Sequence, residues 1–432
     1  MADEDIREGR ALKYRAARTG DASERGSLFA QAADRYLAAA RGGATSTYAL
    51  INAASLSTMA GDRARGAVLA DEVLAVLDSG AHAPDTPYWL AATRAEAELV
   101  KGDAEQARSS LNRAVALAPR AWEDHAIALR QFRLFLGETG EAADWLDEFT
   151  PPPVLAFGGT MGLAPDDEAV QRLLADAVKD LAPCEGQGAL AAGTDILVAE
   201  ALLGHGADLH VVLPVRPDLF REISVVAVDR DWGPRFDACL AQAASLEVVD
   251  AAGALDQATS GLAARVAMGR AIGRAKDLET RPHGLRATAS GGGNAEIARA
   301  WAEWDVAGHA CATIEVQRSA AFASCADAAS TLHVFVAIAG SDDAVAFPNI
   351  AEALAAARRH AGAPVCIDVQ AGAAPSPDFA IAAARAGRQP GLWLGSTALA
   401  AARLADPGID AELAGAVRHA RGTDDLYRVH TD

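Results

Sequence analysis

The sequence predicts a multidomain α plus α/β protein: a helical repeat array, then a parallel α/β layer, then a smaller α/β part. Three observations carry this. Helical segments of similar wording recur up to about residue 148. The run Thr150-Pro151-Pro152-Pro153 then stops any helix and reads as a stiff, extended link. Beyond it, apolar runs end in glycine turns that open helices, the pattern of strand, turn, helix, strand.

Composition bounds the partners. The 432 residues are enough for two or three domains. Hydrophobic residues make up 51% and aromatics only 5%, so cores are well supplied and stacking platforms for nucleic acid are scarce. A net charge of −19 repels phosphate backbones and anionic membranes, so neither is an expected partner. No apolar run reaches the roughly 18 residues a membrane span needs. The start, Met1 to Arg10, is charged and lacks a signal core. Five scattered cysteines show neither metal-ligand spacing nor a disulfide framework. These features predict a cytoplasmic protein.

In the first part, Y-A-L-I-N-A-A-S-L-S-T-M-A-G-D begins at Tyr48 and Y-W-L-A-A-T-R-A-E-A-E-L-V-K-G-D at Tyr88, each followed by a second helix. A third, weaker copy starts at Trp122 and turns near Gly137 and Gly140. These segments resemble tetratricopeptide repeats. Gly102-Asp103, Ala107, Ala114 and Pro119 fall where that repeat places its turn, small packing residues and terminal proline. The resemblance implies a stacked helical arm over residues 1–150. Its groove suits a protein partner; equally, the array suits packing or homo-oligomer formation.

The middle part carries three glycine turns: Gly158-Gly159-Thr160, Gly193-Thr194-Asp195, and Gly291-Gly292-Gly293-Asn294. Turns at the carboxyl ends of parallel strands sit where open α/β sheets bind ligands. The helix opening at Thr194 would point its N–H groups at an anion. Tight turns alone also demand glycine. Around these turns the pattern predicts strands over 154–157, 209–213, 246–249 and 312–316, with helices over 168–181, 195–203, 234–244 and 261–278. Residues 183–188 read as a turn and 224–228 as a short apolar run. Arg265, Arg270 and Arg274 share a helical face, read as a solvated basic face. A lone strand histidine such as His210 reads as structural.

The order G-G-T, G-T-D-I-L-x-A-E-A-L-L, H-V-V-L-P, W-x-x-R-F and R-V-A-M-G-x-A, then a glycine-rich helix start, resembles the SLOG-type domain of bacterial signalling proteins. The resemblance covers roughly residues 151–317. It implies a Rossmann-like layer that binds a nucleotide or nucleotide-derived ligand at Gly158, Gly159, Thr160, Gly193, Thr194, Asp195, Gly291, Gly292, Gly293 and Asn294, with Glu296 beside them. Phosphoribohydrolases of that superfamily carry P-G-G-x-G-T-x-x-E at the last turn. Here it reads S-G-G-G-N-A-E-I-A, with Ala298 at the catalytic glutamate position. Binding is therefore favoured over cleavage. The alternative is an N-glycosidic or phosphoribosyl hydrolase using Glu296 or Asp195. No catalytic or metal-ligating set is assigned.

Residues 318–330 read as a helix or linker. From 331 to 432 follows a third α/β part with strands over 332–339, 364–371 and 392–395. Its stretch F-A-I-A-A-A-R-A-G-R-Q-P-G-L-W-L-G-S resembles a shortened class III nucleotide cyclase domain. By that resemblance Ala337 stands at the first metal-aspartate position and Ile381 at the catalytic asparagine, with only Arg385 kept. Asp342, Asp343 and Asp368 lie off the pattern. This implies a cyclase-derived pseudoenzyme. The expected function is a cytoplasmic signalling or sensor protein that binds a nucleotide-like ligand; a non-catalytic repeat scaffold is the remaining reading.

Overall fold

The computed structural model describes residues 2–42, 46–250, 253–290, 293–318, 331–341, 343–360, 362–372, 376–387, 389–419 and 422–430. The chain forms two compact units, Met1–Pro151 and Pro152–Asp432.

The first unit is helical: α1 (Ala2–Ala17), α2 (Ala22–Arg41), α3 (Thr47–Met59), α4 (Arg63–Ser79), α5 (Pro87–Val100), α6 (Ala104–Leu117) and α7 (Trp122–Thr139), then a 3-10 turn over Asp144–Phe149. Two helical hairpins repeat the same local chemistry. α3 ends at Gly61 and α5 at Gly102, both left-handed with φ of +95° and +85°. The next residue, Asp62 or Asp103, sends its N–H back to Ser57 or Glu98 and caps the following helix with its carboxylate. Glycine alone takes that φ without a Cβ penalty, so each G-D pair both ends one helix and starts the next. A polar seam joins the odd helices. Lys13 donates to Asn52 at 3.1 Å and to Gln131 at 2.5 Å; Gln131 and Ser55 donate to Glu96 at 2.7 and 2.6 Å. Burial raises the Glu96 carboxyl and lowers the Lys13 ammonium from their usual values.

The second unit opens with a parallel sheet. Its elements are β1 (Val154–Gly159), α8 (Glu168–Leu181), β2 (Glu185–Gly188), α9 (Thr194–His205), β3 (Asp208–Leu213), α10 (Pro217–Arg221), α11 (Trp232–Gln242), β4 (Ser245–Val248), α12 (Gln257–Asp277), β5 (Pro282–Thr288), α13 (Ala295–Val306) and β6 (Ala310–Glu315). The strand order is β4-β3-β2-β1-β5-β6, every pair parallel. α8, α9 and α11 cover one face; α12 and α13 lie on the other. A second sheet follows from β7 (Thr331–Ile338), β8 (Ala344–Phe347), α14 (Ile350–Arg358), β9 (Pro364–Gly372), α15 (Asp378–Ala386), β10 (Gly391–Gly395), α16 (Ser396–Ala405), β11 (Ala411–His419) and β12 (Gly422–Val429). Its order is β11-β12-β10-β9-β7-β8, antiparallel except for β9 beside β10.

One helix serves both sheets. Leu262, Ala263, Val266 and Ala267 of α12 share a core with Val212 of β3 and with Val334, Ile367 and Leu394 of the second sheet. α12 meets α16 at a G-x-x-x-G step, where a Cβ on Gly269 would collide with the Ala400 carbonyl and one on Gly273 with the Arg403 guanidinium. Its arginines do not form a solvated face, contrary to the expectation above: each is buried or half-buried and paired with an acid. Arg265 is 4% exposed and grips Glu303 at 2.8 to 3.2 Å. Arg270 clasps Glu247 with two bonds of 2.9 Å, and Arg274 holds buried Glu185 at 2.6 to 2.9 Å. A helix packed between two sheets has little solvent along its length, so its charges need fixed partners.

Other differences have local causes. Residues 185–188 form a central strand rather than a turn. Glu185-Gly186-Gln187-Gly188 has no apolar side chain, but a Cβ at Gly186 would strike Leu202 and one at Gly188 would lie 2.6 Å from the Phe157 ring. Its hydrophobic cover thus comes from neighbours. β5, β8 and β11 were not expected. In β5 the pattern is hidden by Pro282, His283, Gly284 and Arg286; Gly284 leaves room for the Trp301 and Trp304 rings. The apolar run near 224–228 is a π-helical turn over Glu222–Val226. The reading of 319–330 and Asp342 lie outside the described residues.

The α12–α16 step gives a stability test. Gly269→Val should lower the urea stability of the protein by about 3 kcal/mol through overpacking. Gly204→Ala, at an open position of α9, should change it by no more than about 1 kcal/mol. Equal midpoints for Gly269→Val and wild type would refute the close crossing.

Candidate functional site

β1 and β5 are neighbours, but the chain leaves them in opposite directions, through α8 to β2 and through α13 to β6. This is the switch point where an open parallel sheet parts its loops. A cavity of about 670 Å³ lies there. Its walls come from the ends of β1 and β5, the start of α9, the start of α13 and one side of α12. On that side Ala263, Ala264 and Ala267 are short, which leaves the space open.

Gly158, Gly159, Thr160, Asp195, Gly293 and Asn294 line this cavity. Gly193 and Thr194 stand behind it. Gly193 takes φ +117°, and a Cβ there would lie 2.7 Å from the Thr160 carbonyl. Thr194 donates its N–H and hydroxyl to that same carbonyl, at 3.2 and 3.0 Å. Thr160 in turn reaches Ala287 of β5 through its N–H at 3.1 Å and its hydroxyl at 3.2 Å. The first two glycine turns and the end of β5 are therefore locked into one piece. Gly291 and Gly292 lie outside the described residues. Glu296 is not on the cavity wall; it pairs with Arg265 at 3.4 Å and with Arg299.

The bends converge, but most of their amides are already used. Gly159 N–H and Ala191 N–H both donate to Asp195, at 3.2 Å each. Asn294 caps α13 by accepting from Glu296 and Ile297 at 2.9 and 3.2 Å. The helix α9, by contrast, has no side-chain cap. The start of α9 thus keeps the uncapped N–H groups expected of it, and arginine side chains add positive charge to the cavity. Arg286 donates to Thr313 at 2.9 Å and Asp305 at 3.0 Å, with its guanidinium over the Trp301 ring at 5.6 Å. Arg318 donates to the Met161 carbonyl at 3.2 Å. Both line the cavity, as do Gln257 and Ser260 of α12. Arg286 was missed in the sequence because β5 was missed; it stands opposite Gly158 in the β1–β5 register.

Asp195 is the unusual group. It is 8% exposed, and no described cation pairs with it. Burial lifts its carboxyl from 3.8 to about 7, against the opposing pull of the Ala191 and Gly159 N–H bonds. A carboxyl that titrates near neutrality inside a cavity can hold or release a proton under ordinary conditions. Among the described residues no group of three or more His, Cys, Asp or Glu is placed to hold a metal ion. Elsewhere, His210 bonds Ser245 at 2.8 Å. On the second sheet Ala337 is buried in β7, and Asp368 of β9 accepts from Gln370.

No known family model matches the chain, and no curated protein matches it. Among solved structures, an O-GlcNAc transferase variant from Thermobaculum terrenum shares 11% identity, over 73% of this chain and 75% of that one, at a TM-score of 0.20. So loose a superposition bears on neither fold nor function. No helix is long and apolar enough to cross a membrane among the described residues.

The Asp195 proton has a signed consequence. Its folded pKa lies above the unfolded one, so its contribution to stability is full below pH 3.8 and is lost as pH rises through about 7. The whole effect is on the order of 4 kcal/mol. In Asp195→Asn this slope should vanish. Denaturant titrations from pH 5 to 8 should show the wild type losing ground to the variant; parallel stability curves would contradict the assignment.

Proposed function

We propose that the α/β unit binds a nucleotide or nucleotide-derived ligand in the switch-point cavity, and that the chain is a cytoplasmic signalling or sensor protein. The observation that carries this is convergence. Two separate glycine turns and Asn294 of the third, matched in order to the SLOG-type pattern, meet at one cavity of about 670 Å³ beside Arg286 and Arg318. Guanidinium groups suit phosphate oxygens. The Trp301 ring and the alanine side of α12 suit the flat face of a base. On this reading the helical unit, with its G-D turns of tetratricopeptide type, is the arm that meets a protein partner or a second copy. The second sheet is a cyclase-derived part without catalytic duty.

A second reading is favoured by one group. Asp195, titrating at about 7 inside the cavity, suits acid–base work in N-glycosidic cleavage. Glu296 does not serve that reading, since it is committed to Arg265 and Arg299 outside the cavity. Release of free base from nucleotides, abolished in Asp195→Ala, would select it.

Calorimetric titration with a nucleotide panel tests the first reading. At least one nucleotide should bind below millimolar, and Arg286→Ala should weaken it about tenfold. Binding should also tighten as pH falls from 8 to 6, because an anion beside Asp195 favours its protonated form. No heat from any nucleotide at millimolar concentration would end the proposal.

A further inference from the structure

A second cavity, of about 300 Å³, lies between the parallel sheet and α16. It is walled by β3, β4, the carboxyl half of α12 and Arg403. Three guanidinium groups face it: Arg270, Arg274 and Arg403. The first two are held by carboxylates, Arg270 by Glu247 and Arg274 by Glu185. Arg403 differs. Its Nε is buried without a hydrogen-bond partner. Burial and the nearby Arg270 charge pull its proton affinity down, with Asp277 and Asp410 acting the other way.

This guanidinium is held in place by the fold. Gly273 has no Cβ, so the Arg403 guanidinium lies directly over the α12 backbone at the step where α12 and α16 cross. A buried guanidinium N–H without an acceptor is costly unless one arrives. Planar, fixed and forked, it matches an oxyanion by two parallel bonds. The cavity also offers acceptors and a hydroxyl. Glu247, Asp277 and Ser245 line it, and His210 bonds Ser245 at 2.8 Å. Glu247 and Ser245 are already bonded, to Arg270 and His210, but a carboxylate and a hydroxyl oxygen keep further lone pairs; a bare ion cannot donate to them, whereas the hydroxyls of a small polyol phosphate can.

We propose that this cavity is a second ligand site, separate from the switch-point cavity, that takes a small hydroxylated phosphomonoester with its phosphate on Arg403. Because Arg403 belongs to α16 while Arg270 and Arg274 belong to α12, the ligand would tie the second sheet to the first. It would therefore stabilise the α/β unit as a whole.

The test uses the full chain, with inorganic phosphate and glycerol 3-phosphate as probes and sulfate and chloride at matched ionic strength as controls. Glycerol 3-phosphate should raise the melting temperature and bind more tightly than inorganic phosphate. Arg403→Gln should weaken binding of both at least about tenfold, and Arg403→Lys, which keeps charge but loses the fork, should fall between. Arg286→Ala, in the other cavity, should leave this binding unchanged. If neither phosphate binds better than sulfate, the proposal fails. It also fails if the Arg403 variants bind as the wild type does, or if Arg286→Ala removes the binding while Arg403→Gln keeps it. The last pattern would move the phosphate to the switch-point cavity. Loss of nucleotide binding there, with phosphate binding on Arg403 intact, would overturn only the first reading.

Discussion

The α/β unit depends on one helix having no free side. α12 crosses β3, β2 and β1 on its way to β5, and the second sheet closes over its other face. A helix in that position can carry only small, apolar or paired residues. The sequence of α12 satisfies this: glycines where α16 crosses, alanines along the cavity, and arginines whose charges end on Glu303, Glu247 and Glu185. Leaving any of these arginines without its acid would strand a charge in a place with little water. The fold, both cavities and the joining of the two sheets all follow from where this helix lies.

The electrostatics of the switch-point cavity follow too. Short side chains on α12 open the space, and the walls exclude enough water to lift Asp195 to about 7. The same shortage of water makes the loop amides seek acceptors within the protein, and they find Asp195, Ala287, Thr160 and Asn294. Most turn amides are therefore committed within the protein, while the start of α9 keeps no side-chain cap. What remains for a ligand is a preformed pocket with arginine at its rim, an aromatic wall, and a carboxyl ready to change its charge.

Much of this was legible in the sequence, for stated reasons. The triple proline marks the boundary between the two compact units because proline cannot continue a helix. The G-D pairs mark the hairpins because only glycine takes their φ cheaply. That Gly158 to Thr160 and Asp195 lie together at one cavity was legible from the glycine turns after the strands, although tight turns alone also demand glycine. What was hidden is also instructive. β2 carries no hydrophobic residue of its own, and β5 is broken by proline and glycine, yet both are flanked by strands on either side, where neighbours supply the cover. Missing β5 meant missing Arg286. Partnered charges were equally invisible: Arg270 and Arg274 resemble a surface stripe until Glu247 and Glu185 are seen across from them. Glu296 looked like a site residue by its nearness to the third turn, but its position on the helix turns it toward α12.

The account centres on a ligand seated where the chain parts between β1 and β5. The most direct measurement is an experimental structure of the protein grown with a mixture of nucleotides. The account predicts ligand density bounded by Gly158 to Met161, Arg286 and Trp301, with Asp195 in contact. Density for nucleotide elsewhere on the surface, with this cavity holding only solvent, would contradict it.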